Sequence, residues 1–182
     1  MSKPSETNAT KTRMPVAIWR TLSLSDIPNL IRIASHIHPS LPERDSVFAE
    51  RVKLFPQGCL ALTSKHDELC GYIISHPIRL RQPPALDSLL VEIGPDADQY
   101  YIHDVAILPE YQGRGLAKEG LKQVLGVAER FKSIGLVSVY STSAFWGKFG
   151  FKEPVEVGGV MREKLLGYGD AAVYLEREGG GK

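Results

Sequence analysis

The sequence predicts a single α/β (α+β) domain, in which a mixed, twisted sheet of about six to seven strands is flanked by about four helices. Residues 101–108 alternate in the manner of a strand and lead through two glycines into an amphipathic helix. Another strand-like run, residues 136–140, follows that helix, so the two strands are expected to lie parallel. Two earlier strand-like runs joined by a short polar loop predict an antiparallel hairpin, which makes the sheet mixed.

The elements of the first half follow from apolar spacing and from the residues that bound them. Strands are predicted at residues 16–22, 59–63 and 70–76, and helices at about 26–36 and 44–55. The first helix begins where Ser25 and Asp26 can accept hydrogen bonds from free helical N–H groups. Pro56 and Gly58 end the second helix, and the polar loop 64–68 joins the next two strands as a hairpin.

The second half contains the remaining strands and helices after one long irregular stretch. Strands are predicted at residues 101–108, 136–140, 151–157 and 171–175, and helices at about 115–133 and 143–149. Gly135 is expected to cap the longer helix. Residues 77–99 contain four prolines and are interpreted as a loop, either a lid on the substrate side or a mobile insertion.

Composition excludes several classes of protein. Hydrophobic residues at 43% and charged residues at 24% are near the globular average, and a net charge of +1 gives no field that would attract nucleic acid. No run approaches the roughly 18 apolar residues of a membrane span. Cys59 and Cys70 are interpreted as reduced core residues. We therefore expect a cytoplasmic domain over residues 15–177 without nucleic-acid or membrane partners, preceded by a disordered tail (1–14) and followed by a flexible end (178–182).

The segment that follows the central strand predicts a phosphate site. Pro109 ends the strand because it has no N–H to donate. Gly113 and Gly115 then precede a helix N-terminus, where free N–H groups and the positive end of the helix dipole point at one place. Both glycines permit a positive φ and close approach of a ligand. Arg114 adds a forked cation suited to phosphate.

Two common phosphate motifs do not fit this segment. A Walker A loop requires Lys followed by Ser or Thr where Leu116 and Ala117 stand, and a dinucleotide fingerprint requires a third glycine where Lys118 stands. The run from Gln112 to Ala117 instead resembles the Arg/Gln-x-x-Gly-x-Gly/Ala pyrophosphate motif of the GNAT superfamily of N-acetyltransferases. Residues 145–151 are similar to the terminal helix and the Lys-x-Gly-Phe turn of that family.

The order of elements resembles the family over residues 16–177, and the resemblance implies acetyl-CoA as co-substrate. It implies that the two central parallel strands splay apart and that the coenzyme arm fills the gap. The arm would pair with backbone groups near Val105, Ala106 and Ile107. The other implied coenzyme contacts are Gln112, Gly113, Arg114, Gly115, Leu116, Ala117 and Trp146.

N-acetylation needs a base for the amine, a donor that polarises the thioester carbonyl and, in some enzymes, an acid for the thiolate. The backbone N–H of Ala106 or Ile107 is expected to polarise the carbonyl. His103 is the first candidate base because an imidazole titrates near neutral pH, and a core histidine is its alternative. In a regular strand Asp104 lies on the opposite face from His103 and cannot orient its ring.

This sequence departs from the family at the position of the residue that protonates the thiolate. Trp146 stands where many members have a tyrosine, and an indole N–H cannot supply a proton to a thiolate. Tyr140, Ser143 and Tyr168 are the alternative acids, of which Tyr140 and Tyr168 join His103 as catalytic candidates.

The substrate side is expected to contain His38, Glu43 and Tyr168. Glu43 could hold the positive charge of an amine, and an exposed surface glutamate is its alternative. His36 and His38 lack a third ligand, so no metal site is predicted. We expect a small-molecule amine as the acceptor and a monomer or homodimer. A coenzyme A-binding module without turnover and a protein or peptide N-acetyltransferase are the alternatives.

Overall fold

A computed structural model describes residues 16–181, in which six strands form one mixed sheet whose spatial order is the chain order. The strands are β1 (Ala17–Thr21), β2 (Cys59–Ser64), β3 (Leu69–Ile78), β4 (Gln99–Ile107), β5 (Ser133–Ser138) and β6 (Val173–Glu178). The helices are α1 (Ile27–Ile37), α2 (Asp45–Leu54), α3 (Leu116–Ala128), α4 (Ser143–Gly147) and α5 (Gly159–Leu166). Strands β4 and β5 are parallel, and the other neighbouring pairs are antiparallel. The predicted fold class is confirmed.

Helices cover both faces of the sheet. On one face, Leu30 of α1 and Phe48 of α2 belong to the same buried cluster as Tyr72 of β3. On the other, Leu121 and Val124 of α3 are buried among side chains of β3, β4 and β5. The apolar stripes of α1 and α3 are thus used as the sequence predicts, because each helix buries its one apolar face against the sheet.

Strands β4 and β5 are paired along only part of their length. The parallel register extends from Gln99 with Ser133 to Ile102 with Leu136 and then stops, although β4 continues to Ile107. Beyond that point the two strands separate, so the expected splay is confirmed. The backbone of β4 that faces β5 is left without a strand partner from residue 103 onward.

A β-bulge in β4 overturns the regular alternation expected there. Ile74 of β3 opposes Asp104 and Ser75 opposes Ile102, so His103 has no opposite residue. The extra residue brings His103 and Asp104 to the same face of the sheet, where His103 lies near Phe48 and Asp104 bonds the hydroxyl of Tyr72. The expectation that these two side chains point to opposite faces is therefore wrong.

Helix α3 and strand β5 have different bounds from those expected. The helix ends at Ala128 rather than near residue 133, and β5 begins at Ser133. Gly135 is not a helix cap but lies inside β5, where a Cβ would stand 2.2 Å from the hydroxyl of Tyr174. The glycine is there because a buried tyrosine passes against the strand.

The region after α4 also differs from the sequence prediction. Residues 151–157 do not form a strand; Lys152 makes one isolated bridge with Glu176, and Pro154 lacks the N–H that a ladder requires. Helix α5 was not predicted, because Met161 is its one buried residue and it shows no apolar stripe. Residues 79–98, between β3 and β4, contain no helix or strand.

The expected domain limits lie near the two ends of the chain. The tail predicted over residues 1–14 lies outside the described residues. At the other end, the N–H groups of Gly179 and Gly181 donate to the carbonyls of Lys132 and Phe131, at 2.8 and 3.1 Å. Within residues 16–181, none of the helices combines the length and the apolar character that a membrane crossing requires.

Candidate active site

A cavity of about 600 Å³ opens where β4 and β5 separate. It reaches from the glycine loop before α3 to the bulge in β4. Most of the predicted site residues line it: His38, Glu43, His103, Val105, Ile107, Gln112, Gly113, Gly115, Leu116, Ala117, Tyr140, Trp146 and Tyr168. Ala106 and Arg114 are not among the lining residues. The structure therefore brings segments far apart in the chain to one chamber.

The glycine loop has the backbone geometry of an anion site. Gly113 and Gly115 have φ of 72° and 78°, and α3 begins directly after them at Leu116. A Cβ at either glycine would meet nothing within 4 Å, so the backbone here is open to approach. The side-chain amide of Gln112 donates to the carbonyl of Ile107 at 2.7 Å and ties the loop to the end of β4.

Arg114 has a different environment from the glycines that flank it. Its guanidinium donates to the carbonyl of Glu110 and lies 5.6 Å from the centre of the Tyr111 ring. In this geometry Arg114 stabilises the turn of the loop through its hydrogen bond to Glu110. The positive charge nevertheless stays beside the helix N-terminus, where it favours an anion.

The amides of β4 that face the gap can be identified from the strand pairing. Leu108 donates its N–H to the carbonyl of Cys70 on β3. Because backbone groups alternate in direction along a strand, those of Val105 and Ile107 face the gap, and those of Ala106 face β3. The side chain of Ala106 is buried in the cluster under α1 and α2. Of the two carbonyl-polarising amides expected, Ile107 therefore faces the cavity and Ala106 does not.

The bulge presents two imidazole–carboxylate pairs to the cavity. The Nε2 of His103 lies 2.9 Å from a carboxylate oxygen of Glu43, and the two side chains are only 2% and 6% exposed. The alternative of an exposed surface glutamate is therefore wrong for Glu43. The Nδ1 atom of His103 is buried and has no hydrogen-bond partner among the described residues. A buried ring nitrogen without a partner requires an explanation, and a ligand in the cavity that His103 lines would supply one.

In the second pair the strand supplies the carboxylate, from Asp104, and the connection between α1 and α2 supplies the imidazole, from His38. The Nε2 of His38 lies 3.0 Å from Oδ1 of Asp104, although its N–H is not aligned for a linear hydrogen bond. The other oxygen of Asp104 accepts a hydrogen bond of 2.6 Å from the hydroxyl of Tyr72. Asp104 is thus held by two partners, which the sequence did not indicate.

Electrostatics favour the charged state of the second pair. Burial opposes protonation of His38, but the Asp104 carboxylate outweighs burial and raises the pKa of His38 above its usual value. Burial likewise opposes ionisation of Asp104, but His38 and the Tyr72 hydroxyl together lower the pKa of this carboxyl. The pair is therefore stabilised as an imidazolium and a carboxylate.

A third histidine lies behind the first pair and stays neutral. His76 is fully buried, and its ring centre lies 5.7 Å from that of His103. Burial, with a contribution from the neighbouring His103, holds the pKa of His76 well below its usual value. His76 is a buried core histidine whose Nδ1 lies 3.1 Å from the carbonyl of Pro77.

Two connections between elements supply these partners and line the cavity at the end where the bulge lies. Residues 38–44, between α1 and α2, supply both His38 and Glu43. The long segment 79–98 is tied to this connection, because Asp87 donates its N–H to Glu43 at 3.0 Å and accepts from the Arg44 guanidinium at 2.8 Å. The segment 79–98, expected to be either a lid or a mobile insertion, is therefore tied to the connection between α1 and α2.

The three aromatic candidates lie at different places around the cavity. Tyr140 follows the end of β5, is 47% exposed and has a φ of 52°, and its ring stacks on that of His38 at 5.7 Å. The hydroxyl of Tyr168 donates to the carbonyl of Pro84 at 3.1 Å, and burial together with the nearby Glu43 raises its pKa. Trp146 is 8% exposed and packs edge-on against Phe151, so it serves both the core and the cavity wall.

Two site features escaped the sequence reasoning. One is the pairing of Glu43 with His103, and the other is the pairing of His38 with Asp104. Adjacent His and Asp residues in an otherwise apolar strand were a signal, because neither residue type is favoured there without partners. No group of three or more potential metal ligands occurs within the described range.

Comparisons with known proteins agree with this geometry. The family model described as "Acetyltransferase (GNAT) family" matches residues 24–151. The loading GNATL domain of CurA from Lyngbya majuscula is 16% identical with a TM-score of 0.73, over 90% of this chain and 98% of that one. Naa50 from Arabidopsis thaliana, in complex with the bisubstrate analogue CoA-Ac-MVNAL, is 14% identical with a TM-score of 0.65, over 89% and 98%.

A third structure extends the range of relatives. N-acetylglutamate synthase from Neisseria gonorrhoeae, complexed with coenzyme A and N-acetyl-glutamate, is 15% identical with a TM-score of 0.67, over 90% of this chain and 35% of that one. No curated protein matches the sequence. Identities this low indicate a shared fold, whereas the family model covers well over half of the chain. The chain belongs to the GNAT acetyltransferase family.

Proposed function

We propose that this protein transfers an acetyl group from acetyl-CoA to the primary amine of a small molecule, by direct attack while both substrates are bound. The observation that carries the proposal is one cavity that joins an open glycine loop to the His103–Glu43 pair. Such a chamber can hold a phosphate-bearing donor at one end and a base at the other. Binding both reactants side by side would supply a large part of the rate acceleration.

The coenzyme fits the loop and the gap. Free N–H groups at the start of α3 would bind its diphosphate, and the positive φ of Gly113 and Gly115 keeps side chains out of the way. The N–H of Ile107 and the backbone groups of Val105, which face the gap without a strand partner, would pair with the amide groups of the pantetheine arm. An N–H of β4 that faces the gap would also polarise the thioester carbonyl.

His103 is the proposed base. Its Nε2 faces Glu43, which would hold the ring in one tautomer and leave the lone pair of Nδ1 free to take a proton from the amine. Glu43 is then a positioning residue, since it acts on the substrate through His103. Transfer could pass through one water molecule, because Nδ1 is buried.

A small acceptor is supported by the way the acceptor end is closed. Leu86 of the segment 79–98 lines the cavity, and Tyr168 bonds the same segment through Pro84. Lys164 makes a further bond to the carbonyl of Pro83 at 2.6 Å. These contacts hold the segment 79–98 at the end of the cavity where we propose that the acceptor binds. The structures similar to this chain include both a synthase with a small-molecule product and an enzyme bound to a peptide analogue, so the acceptor must be tested directly.

The test combines binding with turnover. Isothermal titration should show acetyl-CoA binding with a dissociation constant in the range of about 1–100 µM. Release of free thiol would then be followed with 2-phenylethylamine, putrescine, glycinamide and an unblocked tetrapeptide as acceptors. Turnover with a small amine and not with the peptide supports the proposal, and the reverse preference would assign a peptide acceptor.

The base assignment is tested by His103→Ala. We expect kcat to fall by about 10²–10⁴-fold while coenzyme binding is retained. His66→Ala is the matched control, because His66 is exposed in the loop between β2 and β3. Coenzyme binding without thiol release for any acceptor would instead support a binding module without turnover.

A further inference from the structure

The position of His38 between the two separated strands has a chemical consequence. Its ring approaches Asp104 of β4 on one side and stacks on Tyr140, which follows β5, on the other. His38 therefore spans the opening that begins where the parallel pairing stops. A thioester held in the gap would have this imidazole beside it.

Tyr140 is held in its place by the backbone. Tyr140 and Ser141 have φ of 52° and 59°, in the left-handed region that non-glycine residues seldom adopt. The rings of Tyr140 and His38 are parallel within 3°. Strain at a non-glycine residue that lines a cavity is a common mark of a functional constraint. Here the constrained turn sets a flat aromatic surface against the imidazole.

The family position that often supplies an acid carries Trp146 in this chain, so the departing thiolate has no donor there. Tyr168 is committed to the carbonyl of Pro84 and lies at the acceptor end. The Nδ1 of His38 is buried and makes no aligned hydrogen bond among the described residues, and the backbone of Val105, which faces the gap, lies beside the ring. The groups that face His38 are Asp104 from β4, Glu43 from its own connection and Tyr140 after β5.

We propose that His38 is a second catalytic residue, which donates a proton to the sulfur of coenzyme A as the thioester breaks. This inference rests on the proposed acetyl transfer. The amine nitrogen forms a bond to the carbonyl carbon, the carbon–sulfur bond breaks with its electron pair going to sulfur, and His38 supplies the proton that makes the thiol. His103 takes the proton that the amine loses, and both histidines then exchange protons with solvent.

The charge state described above supports this division of roles. Asp104 raises the pKa of His38, so the ring is held in the form that can donate. His103 is paired with Glu43 through Nε2, and its Nδ1, which has no partner among the described residues, is the atom that would accept a proton.

The test varies the leaving group of the acetyl donor as well as the protein. Acetyl-seleno-coenzyme A differs from acetyl-CoA by one atom and releases a selenolate, which needs no acid because a selenol is a stronger acid than a thiol. With the best acceptor of the amine panel, we expect His38→Gln to lower kcat by about 10²-fold for acetyl-CoA and by less than about threefold for the selenoester. His36→Gln, on the exposed side of α1, should match the wild type with both donors.

Every outcome either supports or overturns the role of His38 as the proton donor. An equal loss with both donors would mean that His38 only positions other groups or supports the fold, and no loss with either would mean that it has no role; both overturn the inference. If the selenoester restores the activity of Tyr140→Phe but does not restore that of His38→Gln, the proton donor is Tyr140 and not His38. His103→Gln should lose activity with both donors, because the base is still needed. Wild-type protein that turns over neither donor would overturn the proposed function, and this inference with it.

Discussion

Strands β4 and β5 lie side by side along one half of their length and apart along the other. In the paired half, from Gln99 and Ser133 to Ile102 and Leu136, backbone groups bond each other and Tyr174 fills the space above Gly135. In the open half, the backbone of β4 faces a cavity and the bulge presents histidines to it. One pair of strands thus contributes packing at one end and, in the proposed function, ligand binding at the other.

The two halves should therefore respond differently to substitution. A change in the paired half has no ligand to affect, so its cost should appear in the free energy of unfolding. A change in the open half removes few packing contacts, so its cost should appear in binding or turnover. The substitutions below are ordered from the largest expected effect to the smallest.

Gly135→Ala should break the paired half. The new Cβ would stand 2.2 Å from the hydroxyl of Tyr174, which is buried and donates to the side chain of Gln99 at 2.7 Å. Displacing that ring strains the core and breaks one of the two hydrogen bonds that Oε1 of Gln99 accepts, the other coming from the N–H of Arg81, so we expect a loss of roughly 2–4 kcal/mol in unfolding free energy. Thermal unfolding should detect a melting temperature lower by about 5–15 °C.

The control for this substitution is Gly126→Ala, in α3, where a Cβ would meet nothing within 4 Å. Alanine there should leave the melting temperature unchanged or slightly higher, because alanine favours a helix over glycine. If Gly135→Ala were as stable as this control, the close approach of Tyr174 could not be the reason for the glycine.

Gly113→Ala should weaken the open half without unfolding it. The φ of 72° costs alanine roughly 1–2 kcal/mol, although there is space for its methyl group. The loop can escape this strain by moving, which would misdirect the N–H groups that we propose bind the coenzyme phosphates. We expect affinity for acetyl-CoA to fall about tenfold, measured by isothermal titration.

Stability measurements distinguish this effect from a general loss of folding. The melting temperature of Gly113→Ala without ligand should stay within about 3 °C of the wild type. Unchanged coenzyme affinity in this variant would argue that the diphosphate is not bound by the loop before α3.

Much of the fold could be predicted because the sequence patterns that specify it are local. Apolar spacing indicated α1, α2 and α3, and residues 101 to 117 indicated a strand that leads through two glycines into a helix. The resemblance to the family supplied the splay of the central strands. Each of these depends on residues that are neighbours in the chain.

The parts that could not be predicted depend on residues distant in sequence. The bulge at His103 comes from the register between β3 and β4, which alternation within β4 cannot show. Gly135 was assigned to a helix cap because Tyr174, the residue that explains it, is remote in the chain. Helix α5 was missed because a helix with one buried residue has no periodicity.

Amide hydrogen exchange with and without acetyl-CoA tests the central claim most directly. If the coenzyme lies in the open half, saturating acetyl-CoA should slow exchange at Val105 and Ile107 and at the start of α3, over residues 113–117. Exchange in the paired half should be slow already and change little. Coenzyme binding seen by titration, but with no protection at these amides, would contradict the account.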